Sequence, residues 1–375
     1  MKDKTLKSTN IPSMTVGEMR DRLTELYGSV IKNGGDIQQL PSVMLWGPPG
    51  VGKSQSVREI ASSLEESTGK KICVTDVRLL LFNPIDLRGI PTANEDKTLA
   101  IWLKPQIFQM DPSDDIINIL FLDEISAAPQ SVQAAAYQIV LDKVVGEHRL
   151  PRNCIVIAAG NRVTDKSVAY KMPKALANRL LHIEVKQNFD SWREWAVQKG
   201  INDKVLGFLT FRQDLLMGFD PSTDDLAFAT PRAWEMVSEI LNMTGGDVSR
   251  MFPMIAGLVG EGTAIEFRTW AKVYKGLPSV EGIFDGSESD VPVSTDALYA
   301  LTSSMTTYAA EHSGDMDKIA NSVRYAQKLP PDYSALLLKN YLYIRKDYMS
   351  KLMTIPEFRS WLDRTGRLMN GTFRH

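Results

Sequence analysis

Only two cysteines, Cys73 and Cys154, and four histidines occur in 375 residues, and neither type falls at the spacing that holds a metal ion. Both cysteines lie in apolar, strand-like stretches, which predicts core thiols rather than a disulfide. His148, His182, His312 and His375 are dispersed along the chain, so no metal is assigned to them. No apolar run approaches the roughly twenty residues that span a bilayer. Residues 1–10 are polar and lack the apolar core of a signal peptide, which predicts a cytoplasmic protein. Lys plus Arg number 43 against Asp plus Glu at 45. No excess of one sign therefore draws the whole chain toward nucleic acid or anionic lipid. There is no internal repeat, no low-complexity tract and no NKxD tetrapeptide of the guanine-recognising kind.

What is present is ordinary globular composition, 43% hydrophobic and 23% charged, which excludes a disordered or fibrous chain. At 375 residues the chain exceeds the roughly 250 to 300 at which single cores stop growing, so more than one domain is expected. Short β-rich runs at 43–46, 72–81, 116–122, 155–159 and 181–185 alternate with helical ones. That alternation predicts an α/β domain built on a doubly wound parallel sheet, ending near residue 187. After Asp190 the apolar spacing changes to three and four, as in Ala233, Val237, Ile240 and Leu241, the mark of helices. A helical domain is placed at 188–281. A Gly-, Ser- and Asp-rich break at 282–294 opens the last region, 282–375, a linker followed by a helical extension in which Leu298, Leu301 and Met305 share a helix face. Thr354 and Glu357 are spaced as a capping box for the final helix.

The octapeptide Gly47-Pro48-Pro49-Gly50-Val51-Gly52-Lys53-Ser54 follows a predicted strand and opens a predicted helix. This is the phosphate-loop pattern. Its glycines let backbone N–H groups turn toward phosphate oxygens, and the helix N-terminus adds partial positive charge. Lys53 would neutralise the β- and γ-phosphates, and Ser54 would place its hydroxyl on Mg²⁺. A plain glycine-rich turn is the weaker reading, because the full pattern seldom arises by chance.

The apolar run 116–122 ends in Asp123 and Glu124. Two adjacent carboxylates at the end of a buried strand are costly without a cation or hydrogen-bond donors. Asp123 would orient the Mg²⁺ through water, and Glu124 would polarise the water that attacks the γ-phosphate. Alone, such a pair reads as the start of a solvated loop; behind a phosphate loop it reads as chemistry. The run 154–159 likewise ends in Gly160, Asn161 and Arg162. Asn161 could reach the attacking water or the γ-phosphate, since ligands collect at the carboxyl ends of parallel strands. Thr230-Pro231-Arg232 opens a helix, with Thr230 as N-cap and Pro231 at the first helical position. Arg232 then sits where the helix dipole disfavours a cation by about 0.3 to 1 kcal/mol. A nearby anion would reverse that penalty, and a solvated arginine is the alternative.

With these residues in hand, the chain resembles the MoxR branch of the AAA+ ATPases from about Thr15 to the helix after Arg232. The carrying stretches are GPPGVGKS, LFLDEI, PQSVQAAAYQIVLDKVVGEHRLP, IVIAAGNR and ATPRAWE, in the family's order. The resemblance implies a P-loop AAA+ core, a helical lid and a helical C-terminal extension, and a ring, usually of six subunits. It implies ATP with Mg²⁺, Asn161 as first sensor and Arg232 as second, on its own subunit's nucleotide or its neighbour's. Arg179 would be the arginine finger that reaches the neighbouring subunit's nucleotide, with Arg162 and Lys174 as rivals. It further implies a pore-facing insertion at 83–104, with Arg88, Lys97 and Trp102 as substrate contacts. On the same resemblance a client protein would be remodelled, and a von Willebrand factor type A domain protein is the expected partner.

Two other classes stand beside this reading. A nucleic-acid motor or initiator is the alternative, disfavoured by the balanced charge and the lack of a DNA-binding module. A nucleotide-gated scaffold is the third, disfavoured because it would not need Lys53, Asp123 and Glu124 together. Gly257-Leu258-Val259-Gly260-Glu261-Gly262 lacks the preceding strand of a dinucleotide fingerprint and reads as a helix break. The 16 methionines are scattered and read as packing residues.

Overall fold

The structure, a computed structural model, describes residues 11–162, 172, 174–220 and 223–365. The polar segment 1–10 and His375 lie outside the described residues. The chain divides into two compact units, one built from the chain up to Asn188 and the other from Phe189 onward.

The first unit is a sheet of six parallel strands: β1 (Ser13–Thr15), β2 (Val43–Trp46), β3 (Lys71–Arg78), β4 (Ile116–Asp123), β5 (Cys154–Gly160) and β6 (Leu181–Lys186). Their spatial order is β1-β6-β2-β5-β4-β3. The central strands read as unbroken apolar runs because both of their faces are covered. Val43 and Leu45, with Ile117, Ile119 and Phe121, pack under helices α1 (Val16–Lys32) and α2 (Lys53–Thr68). Met44, Leu120, Leu122, Val156 and Ala158 face the other way, against Val132, Ala135 and Ile139 of α3 (Gln130–Asp142). Odd and even positions thus feed two separate cores, as the two-residue period of a strand requires.

Two strands differ from expectation, both at sheet edges. β1 carries no apolar run and is only three residues long; it pairs with β6 in the register Ser13 to Glu184. It leads directly into α1, where Thr15 and Glu18 form a reciprocal capping box. β3 stops at Arg78 and gives way to a turn of 3₁₀-helix, Leu79–Leu81, so the predicted strand 72–81 runs three residues too far. Because among the described residues β3 pairs only with β4, Cys73 is half-buried rather than a core thiol. Cys154, on central β5, is fully enclosed, and burial pushes its thiol pKa up to about 12.

Among the described residues the second unit is helical and holds two cores. One surrounds Trp234, with Val205, Leu206, Leu209, Val237 and Leu241; the Phe208 ring lies 5.6 Å from Trp234 and 5.1 Å from Phe267. The other surrounds Tyr341, with Leu301, Met305, Ile319, Val323 and Phe358. Helix Thr295–Glu311 serves both, giving Ala300 to the first and Leu298, Leu301 and Met305 to the second. Gly260, with φ of +86°, separates helices Phe252–Val259 and Glu261–Trp270, so the glycine-rich stretch there is a helix break. The break expected from 282 begins later, because Ser279 caps a short helix, Val280–Asp285. The proposed final capping box is not the arrangement found. Thr354 Oγ1 donates to the Lys351 carbonyl at 2.7 Å, and Glu357 accepts from Arg324 at 2.9 Å. Among the described residues no helix is long and apolar enough to cross a membrane.

Candidate functional site

The site lies at the carboxyl ends of β2, β4 and β5, adjacent strands in the middle of the sheet. β2 ends at Trp46, and residues 47–52 wrap into the first turn of α2. Gly50 and Gly52 adopt φ of +79° and +102°, a region in which a side chain strains the backbone. Gly47 is required for space, since a Cβ there would lie 2.8 Å from the Val185 carbonyl oxygen of β6. Val51 is buried in the core beneath α1 and α2 and anchors the loop.

Lys53 opens α2 with its side chain folded inward, only 8% exposed. Its ammonium donates to the carbonyls of Gly47 at 2.6 Å and Pro48 at 3.0 Å, and to Asn161 Oδ1 at 3.0 Å. Asn161 follows β5 directly, so two motifs more than a hundred positions apart meet at one ammonium. The Asn161 backbone N–H donates to Ser126 Oγ at 2.8 Å. Ser126 was not singled out from the sequence; a serine two residues beyond an acidic pair carries no signal until β4 and β5 are known to be neighbours.

Ser54 Oγ donates to Asp123 Oδ2 at 2.7 Å, and Asp123 Oδ1 accepts the Glu124 backbone N–H at 2.8 Å. Glu124 holds φ of +60°, a left-handed conformation that costs a non-glycine residue about 1 to 3 kcal/mol and persists only where the surroundings impose it. Those surroundings are explicit. Ile125 N–H is tied to the Ala159 carbonyl at 2.9 Å, and the Glu124 carbonyl accepts from Ala127 at 3.0 Å and Ala128 at 3.2 Å. The chain therefore reverses sharply at the strand end, and the Glu124 carboxylate makes no hydrogen bond or ion pair among the described residues. The Ser54 hydroxyl and Asp123 carboxylate, hard oxygens placed together at the phosphate end of the loop, fit Mg²⁺ that takes its remaining oxygens from phosphate and water.

The cations are not gathered into this network alike. Arg162 is ion-paired with Glu184, a buried carboxylate on β6. Arg179 lies in the turn just before β6, exposed and without a hydrogen bond or ion pair among the described residues. Lys174, at the start of helix Lys174–Ala177, is also exposed. Arg232 belongs to the helical unit, exposed in the first turn of helix Pro231–Met243, where Thr230 accepts the Ala233 N–H at 3.0 Å.

The 83–104 segment forms a short helix, Pro84–Arg88, capped by Asn83, and a hairpin of Ile90–Ala93 with Ala100–Leu103. Arg88 and Lys97 are exposed and Trp102 is half-buried. The register puts Ile90 opposite Leu103 and Thr92 opposite Ile101. Those four share one face, on which Ile90, Ile101 and Leu103 are 60%, 43% and 55% exposed. This aliphatic face was not foreseen, because only the pairing register reveals it.

Residues 42–182 match the profile of the family described as ATPase family associated with various cellular activities (AAA). The match takes in β2 to the start of β6 and the site residues from Gly47 to Arg179; Glu184, Val185, Arg232, the strand Ser13–Thr15 and the helical unit lie outside it. No curated protein matches the chain. Among solved structures, a candidate ATPase of Cytophaga hutchinsonii has a TM-score of 0.32 at 15% identity, covering 86% of this chain and 82% of that one. PCH-2 of C. elegans gives 0.33 at 13%, covering 69% of each chain. RuvB of Thermotoga maritima gives 0.35 at 16%, covering 78% of this chain and 83% of that one. Global likeness at that level carries no argument. The family profile and the parallel sheet, with its phosphate loop between β2 and α2, are what identify segment 42–182 as an AAA-type P-loop domain.

Proposed function

We propose that the protein is a MoxR-type AAA+ ATPase of the cytoplasm, which hydrolyses ATP at sites shared between subunits of a ring, six by resemblance. That hydrolysis drives the remodelling of a client protein, together with a partner that carries a von Willebrand factor type A domain. The observation that carries the catalytic part is the joined network at the strand ends: Lys53 bonded to Asn161 and Ser54 bonded to Asp123.

The roles follow from position. Lys53, already held by carbonyl and amide oxygens, exchanges those weaker acceptors for phosphate oxygens, which bind an ammonium more strongly. Ser54 and Asp123 would hold the Mg²⁺, which would supply neutralisation of phosphate charge. Glu124, set apart by its backbone reversal, polarises the attacking water, and Asn161 orients it. Arg179 supplies the finger for the neighbouring subunit. Its exposure suits that task, whereas Arg162 is engaged by Glu184. Arg232 acts as second sensor, its unfavourable place at a helix N-terminus offset once a phosphate is near. The exposed Ile90, Ile101 and Leu103 face of the insertion meets client segments.

A Glu124→Gln protein tests the central claim. It should bind ATP as wild type does and release phosphate at least roughly 100-fold more slowly, the usual effect of removing a positioned base. Turnover at the wild-type rate would remove Glu124 from the mechanism.

A further inference from the structure

The turn that carries Arg179 is tied to the phosphate loop by a histidine. His182, the second residue of β6, has both ring nitrogens engaged: Trp46 Nε1–H donates to Nδ1 at 2.9 Å, and Nε2 lies 2.7 Å from the Ala177 carbonyl oxygen. An indole N–H can only donate and a carbonyl can only accept. Nδ1 is therefore the bare nitrogen and Nε2 carries the proton, so the two partners together select one neutral tautomer. The rings of Trp46 and His182 also stack, 6.0 Å apart at 22°.

Each end of this link touches the site. Trp46 is the residue before Gly47, where the phosphate loop begins. Ala177 ends helix Lys174–Ala177, and its carbonyl also accepts the Leu180 N–H at 3.4 Å, closing the turn on which Arg179 sits. That closing bond is long, whereas the imidazole bond to the same oxygen is short. The histidine thus adds a short hydrogen bond to a turn whose own backbone bonds, Leu180 N–H to Ala177 and Asn178 N–H to Lys174 at 3.3 Å, are longer.

We propose that His182 is a positioning residue: with Trp46 it sets the Arg179 turn against the subunit's own phosphate loop. The strand that binds one nucleotide then also orients the arginine offered to the next. This rests on the reading of Arg179 as the finger. A satisfied core histidine is the plain alternative, and it would affect the two nucleotide sites differently.

The test uses the full-length protein. His182→Phe keeps a ring to stack on Trp46 and removes both hydrogen bonds. It should lower kcat roughly 10- to 100-fold, the scale of a misplacement of about 1 Å, and leave KM for ATP unchanged. Trp46→Phe, which removes the indole donor and leaves the Nε2 bond to Ala177, should show the same split more weakly. Mixed assemblies separate the roles. Subunits of Lys53→Ala cannot use ATP but offer an intact Arg179, so mixing them with His182→Phe should restore turnover, and mixing Arg179→Ala with His182→Phe should not. Unchanged kcat in both ring variants overturns the inference, as does a loss that Lys53→Ala fails to rescue while it does rescue Arg179→Ala. Failure to rescue Arg179→Ala itself would mean that the shared-site reading falls, and the inference with it.

Discussion

The cluster around Lys53 and the two exposed arginines are opposites in how they are held. Lys53, Ser54, Asp123 and Asn161 have their polar heads bonded to one another or to nearby carbonyls, inside a single chain. Arg179 and Arg232 reach solvent and make no hydrogen bond or ion pair among the described residues. A buried ammonium or carboxylate must be satisfied wherever it stands, so the first group is preorganised by folding alone. An exposed guanidinium owes nothing to folding and keeps its five donors for a ligand or a second copy of the chain. On the proposed function, the difference separates what one subunit completes from what would await assembly or nucleotide.

Four variants would break or sharpen that contrast. The largest effect is expected from Arg179→Ala, which should leave ATP affinity intact and cut phosphate release roughly 1,000-fold, as loss of an arginine finger does. Equal turnover in wild type and variant, measured at a protein concentration that supports assembly, would place Arg179 among ordinary surface cations. Lys53→Ala should weaken binding of a fluorescent ATP analogue roughly 100-fold, because a charge-assisted bond of about 2 to 3 kcal/mol is lost. A wild-type dissociation constant would mean that the loop amides alone carry binding.

Ser126→Ala is a milder test of the preorganised half. It removes the oxygen that accepts the Asn161 N–H, and with a single hydrogen bond worth about 1 kcal/mol turnover should fall roughly 5- to 10-fold while nucleotide affinity holds. A loss of affinity equal to the loss of turnover would show that Ser126 supports the loop rather than the sensor. The smallest effect is expected from Arg232→Gln. Without nucleotide it should raise the melting temperature of the helical unit by about 1 to 4 °C, because a cation leaves a helix N-terminus where it costs about 0.3 to 1 kcal/mol. With ATP and Mg²⁺ present the sign should reverse. Calorimetry with and without nucleotide distinguishes this from a solvated arginine, which would give no change in either condition.

How much could be read in advance follows from geometry. The phosphate loop was legible because its chemistry needs eight contiguous residues. The central strands were legible because burial on both faces leaves nothing polar in them, as in 116–122 and 154–159. β1 and the end of β3 were not, since edge strands are held by neighbours rather than by their own hydrophobicity. Trp46 and His182 carry no local pattern at all, and their meeting depends on β2 lying beside β6. The aliphatic face of the insertion similarly needed the hairpin register.

Composition and order alone settled the α/β core and the helical remainder, and singled out the residues proposed to meet phosphate, because secondary-structure period and phosphate chemistry act over a few neighbouring positions. Only the tertiary structure decided that Lys53 meets Asn161, that Glu124 is turned away from its strand, that Glu184 occupies Arg162 while Arg179 stays open, and that His182 ties the phosphate loop to the Arg179 turn. Those outcomes join residues from strands far apart in the chain. They depend on strand order and register, which arise from packing the whole sheet at once.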